Sequence, residues 1–62
     1  MSYKIVTTSG DVIWTDKLDV GYLERVMSSD DVDLISVVPT GEPNERVYIN
    51  TLHITYIVEE AS

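Results

Sequence analysis

The chain has 62 residues, eleven of them Asp or Glu and four Lys or Arg, leaving a net charge of −7 with no cysteine and a single histidine. So acidic a surface repels nucleic acid and anionic membrane, whose phosphates are held by clusters of Lys and Arg, and it favours basic protein partners. Disulfides and thiolate zinc sites are excluded, one imidazole cannot build a metal cage, and no stretch approaches the ~20 apolar residues of a membrane span.

Tyr3 to Thr8 alternates around Ile5 and Val6 and is rich in β-branched residues. Ser9-Gly10-Asp11 then supplies turn chemistry, and Val12-Ile13-Trp14-Thr15 resumes the extended pattern, so a β-hairpin is predicted. The period switches at Val20, Leu23, Val26 and Met27, which recur at three and four and form one apolar stripe of a helix. Asp19 is its predicted N-cap, since a carboxylate there accepts an orphan backbone N–H and suits the positive helix end. Leu18 and Leu23 occupy the positions of a hydrophobic staple. Asp30 and Asp31 are repelled by a helix C-terminus, which places the stop near Ser28 or Ser29.

Asp33 to Val38 reads as a strand whose nearly continuous apolar character implies burial on both faces or in a subunit contact. Pro39 to Asn44 forms a surface loop. From Glu45 to Glu59 the chain is extended again, but the apolar phase slips: Val47 and Ile49 share one parity, Leu52, Ile54, Tyr56 and Val58 the other. A straight strand cannot absorb that slip without turning apolar groups to water, so Asn50-Thr51 is assigned a bulge or corner. The expected fold is α+β: a small, twisted, mostly antiparallel sheet in the order β-β-α-β-β, with room for a fifth strand or a curled open barrel, and one helix against it.

One domain, residues 1–62, is expected, and its folding balance is close. Burial of apolar area stabilises by about 90 kcal/mol, and ordering the chain costs about as much. With no covalent or metallic staple, self-association into a homodimer or higher oligomer is the expected remedy. The N-terminus lacks a basic region followed by an apolar one, so a cytoplasmic chain without a signal peptide is expected.

Four groupings of residues offer candidate chemistry. His53 stands alone, without a nucleophile or second acid around it, so packing at a sheet face is preferred to catalysis and no catalytic residue is assigned. Asp30, Asp31 and Asp33 could offer oxygens to a metal but lack the glycine and terminal glutamate of a calcium loop, so no metal or cofactor is expected. As fixed negative charge the same three can dock on a basic surface, with Trp14 as an aromatic anchor, and these four form the expected partner-binding set. An alternative set, Tyr48, Tyr56, Arg25 and Arg46, offers aromatic stacking and phosphate pairing for a small nucleotide held between subunits.

The segment Val47-Tyr48-Ile49-Asn50-Thr51-Leu52-His53-Ile54-Thr55-Tyr56-Ile57 resembles the strand, Asn corner, strand unit of several small bacterial and phage β-rich proteins, including the flagellar FlbD family. That resemblance implies a local backbone pattern and carries no functional residue. In size, charge and compactness the chain is similar to the small acidic proteins that phages encode to block host factors. This second resemblance implies a non-enzymatic inhibitor of the anti-defence type, binding a basic, nucleic-acid-handling host protein in the host cytoplasm. Two other readings stand beside it: an oligomeric sponge for a nucleotide signal, and an assembly or regulatory subunit.

Overall fold

The structure, a computed structural model, describes residues 1–61. The first hairpin forms as its alternation predicts: β1 (Ser2–Thr7) pairs antiparallel with β2 (Val12–Thr15). Gly10 turns the chain with φ 90°, a conformation that costs a residue with a Cβ. The Asp11 carbonyl accepts the Thr7 N–H at 2.9 Å, closing the loop.

The helix α1 (Val20–Ser28) begins at Asp19, whose carboxylate accepts the Tyr22 N–H at 3.0 Å, and Leu23 and Val26 are its buried residues. It ends at Ser29, whose N–H reaches the Arg25 carbonyl, and Asp30 then takes up φ 58° to turn the chain away. Next, β3 (Leu34–Val37) pairs antiparallel with β4 (Val47–Asn50). The corner expected at Asn50-Thr51 is a single 3₁₀ turn, Thr51–His53, capped by the Asn50 side chain, whose Oδ1 accepts the Leu52 N–H at 2.9 Å. It delivers the chain into the fifth strand, β5 (Ile54–Glu60), which pairs antiparallel with β1.

The architecture is α+β with one helix and two antiparallel sheets, a three-stranded one in the order β2-β1-β5 and a two-stranded one, β3-β4. The curl does not close into a barrel. The sheets meet at one isolated bridge, Thr15 to Pro39, where the Thr40 N–H donates to the Trp14 carbonyl at 2.7 Å. Thr15 is 1% exposed, and its hydroxyl donates to the Val38 carbonyl at 2.9 Å, so the most buried polar side chain is the one that stitches the two sheets.

The core lies between the sheets under α1: Ile5, Leu23, Val37, Ile49 and Ile54 form one buried cluster, with Ile13, Leu18 and Ile57 against it. Two expectations are corrected here. Within the chain β3 is not buried on both faces: Ile35 and Val37 turn inward, while Leu34 is 62% and Val38 38% exposed, because strand alternation outweighs the apolar run. Nor do Leu52, Ile54, Tyr56 and Val58 share a face. Leu52 sits exposed in the 3₁₀ turn, and a register shift opposite Val6 and Thr7 leaves Thr55 unpaired, flipping Ile54 onto the core side with Ile57 while Tyr56 turns outward.

Candidate functional site

Alternation along the three-stranded sheet sends Ile13, Ile5 and Ile57, which lie side by side in register, toward the core and α1. The residues between them must face the other way. They form two rows across the sheet: Val12, Val6 and Tyr56, then Trp14, Lys4 and Val58. Neither α1 nor the β3-β4 sheet covers this face, since both pack on the opposite one through Leu23, Val37 and Ile49. Val12, Trp14 and Tyr56 remain 50%, 39% and 51% exposed.

Five of these six side chains are apolar or aromatic, and the sixth, Lys4, holds its ammonium 5.9 Å from the centre of the Trp14 ring. At that separation the cation is attracted to the ring face, and its stem covers part of the indole. The cation thus rests over an aromatic ring in the middle of the patch. Of the carboxylates at the strand ends, Glu60 follows the outer parity of Val58, Asp11 and Glu59 follow the inner parity of Ile13 and Ile57, and Asp16 accepts the Thr40 hydroxyl at 3.2 Å. Contiguous exposed apolar side chains of this kind mark interaction sites on small proteins.

The expected partner-binding residues do not converge. Trp14 lies on the outer sheet face, whereas Asp30, Asp31 and Asp33 occupy the link from α1 to β3 on the core side of that sheet. Two of the three acids have local work. Asp31 accepts the Ser29 hydroxyl at 3.0 Å, and Asp33 accepts the Leu34 N–H at 2.8 Å together with the Tyr22 hydroxyl. The Tyr22 bond, seconded by the Leu34 N–H, holds the Asp33 carboxyl below the usual carboxylate range, and the same bond raises the Tyr22 phenol. Asp33 and Tyr22 share an open groove of about 650 Å³ with Asp16, Asp19 and Lys17.

The alternative ligand set is dispersed as well. Tyr56 is on the outer sheet face and Arg25 on α1, while Tyr48 is 63% exposed on β4 opposite Ser36, whose hydroxyl accepts from Arg46 Nη1 at 3.2 Å. Only Tyr48 and Arg46 share a neighbourhood. Among the described residues no three His, Asp or Glu side chains stand close enough to hold a metal ion, and no helix is long and apolar enough to cross a membrane.

Val12, Val6, Val58 and Lys4 stand outside both expected binding sets, although the sequence carries a signal for them. Tyr3 to Thr7 and Val12 to Thr15 carry apolar residues at both parities, which a strand with one wet, polar face does not need. No protein-family model matches the chain, and neither a curated protein nor a solved structure matches it significantly.

Proposed function

We propose that this protein acts by binding another protein through the outer face of its three-stranded sheet, with Trp14, Tyr56 and Val12 as anchors and the chain's net negative charge selecting a basic partner. The observation that carries this reading is the pair of rows Val12–Val6–Tyr56 and Trp14–Lys4–Val58, of which Val12, Trp14 and Tyr56 are exposed, on a chain of net charge −7. Aromatic anchors supply the affinity at such surfaces, because they bury much area with few rotors. The chain's net negative charge sets partner choice and encounter rate. Inhibition of a basic, nucleic-acid-handling protein is the activity this surface suits, since occupying the partner's cationic groove with carboxylates displaces phosphate.

The test is affinity capture from a lysate of the source organism with the wild type and with Trp14→Ala, the retained proteins being identified by mass spectrometry. The wild type is expected to retain proteins of basic pI, to lose them near 1 M salt, where the Debye length is about 3 Å, and to retain more than Trp14→Ala does. Identical capture by both chains at both salt concentrations would refute the reading.

A further inference from the structure

We infer that two copies of this chain join through the free edge of β5, pairing residues 55–59 antiparallel with themselves about a two-fold axis at Ile57. Among the described residues β5 pairs on one side only, with β1, so as the last strand of the β2-β1-β5 sheet it presents a seven-residue edge. Unpaired N–H and C=O groups along such an edge are a template for another strand. Beside it runs an apolar groove of about 290 Å³ walled by Val20 and Met27 of α1 and by Ile54, Tyr56 and Ile57 of β5. Tyr56 belongs to the outer face of the sheet and Ile57 to the inner one, so a groove that both line must open at the strand's edge. Val20 and Met27 are 36% and 41% exposed there.

The occupant follows from the order of charges along the strand. All its charge lies at one end, in Glu59 and Glu60, with Ile54 and Thr55 at the other. Paired antiparallel about Ile57, the strand sets Glu59 against the partner's Thr55, and because the bulge at Thr55 turns Ile54 inward the regular pairing ends there, with Glu60 beyond it. Carboxylates then never face each other, and Tyr56 meets the partner's Val58, an aromatic against a β-branched residue, a favourable cross-strand pair. The same two-fold axis brings the two helices onto one side of the joined sheet, where the exposed Val20 and Met27 of each copy lie over the seam. The joined sheet has six strands, and the row Val12–Val6–Tyr56 continues into the partner's Val58, Lys4 and Trp14. This interface is independent of the basic-partner reading: a dimer that captures no basic protein sinks that reading alone.

The decisive experiment is a dilution series by sedimentation velocity on three chains: the wild type, Thr55→Glu, and Thr55→Glu combined with Glu59→Lys. Thr55 is exposed in the single subunit, so the fold tolerates both changes, which circular dichroism checks. The wild type is expected to dimerise. Thr55→Glu, which sets two like-charge pairs across the seam, is expected to weaken dimerisation about tenfold or more, and the double variant to restore it. A wild type that sediments as a single subunit at every concentration overturns the inference and leaves the edge to a strand of some other protein. A dimer indifferent to Thr55→Glu, or one weakened without rescue, overturns the pairing about Ile57.

Discussion

Ile54 and Leu34 show how far a side chain's type can diverge from its energetic role. Both are large aliphatic residues in strands, yet Ile54 is 6% exposed inside the core cluster and Leu34 is 62% exposed on the outer side of β3. Ile54→Ala is therefore expected to cost about 2–5 kcal/mol, through lost transfer free energy and the cavity left behind. Leu34→Ala should stay within about 0.5 kcal/mol. Urea unfolding of the two variants in parallel checks this, and equal losses would mean that Leu34 is covered in solution. Composition alone does not separate the two, because Leu34 lies in the most continuous apolar run of the chain. The difference arises from alternation and from what the rest of the fold places on each side. Asp33 is a parallel case among the charged residues: its acidic cluster is legible in the sequence, but its bond to Tyr22 joins residues eleven apart and is not.

Elements whose limits depend on neighbouring residues could be read before the structure was known. The α1 start at Asp19 and stop at Ser29, the Gly10 turn and the Asn50 corner each rest on a side chain or φ value that acts within three or four residues. The unpaired Thr55 could not be read, because a bulge exists only relative to the strand beside it, and β1 lies some fifty residues earlier in the chain. The division into two sheets escaped for the same reason, since it turns on Thr15 and Pro39 meeting across the molecule. The Asn50 corner is the local feature on which two long-range ones depend, for it redirects the chain from the β3-β4 sheet to β1. Asn50→Ala removes the acceptor of the Leu52 N–H and is expected to cost about 1 kcal/mol, as loss of a helix N-cap does. Asn50→Asp, which keeps an acceptor oxygen, should retain most of that stability. Thermal melts of the two variants give the comparison, and equal losses would show that the amide's shape rather than its acceptor matters.

At the scale of the whole molecule, charge and size act together. The folded chain exposes 4327 Å², close to the roughly 4,000 Å² expected of a monomer of this mass, so its surface is small for a net charge of −7. Like charges held that close oppose the compact state. Lowering the pH relieves this repulsion, yet it also removes a favourable term. Because Asp33 titrates below the usual range when folded, its contribution is present above the ordinary carboxylate range and is lost as pH falls through its own lowered value. Stability should accordingly peak on the acid side of neutrality and fall again in stronger acid. Salt at neutral pH isolates the repulsive part, because screening leaves the protonation of Asp33 unchanged. Sodium chloride rather than sulfate is the suitable salt, since sulfate strengthens apolar burial on its own account. Between low salt and about 1 M the melting temperature is expected to rise by on the order of 5 °C, the shift that corresponds to roughly 1 kcal/mol in a domain of this size. Joining two chains of charge −7 meets the same repulsion, so self-association should tighten over the range in which capture of a basic partner is lost. A melting temperature that fell with salt would mean that attraction between the acids and Lys4, Lys17, Arg25 and Arg46 outweighs repulsion among the acids, and the surface would then be balanced locally despite its net charge.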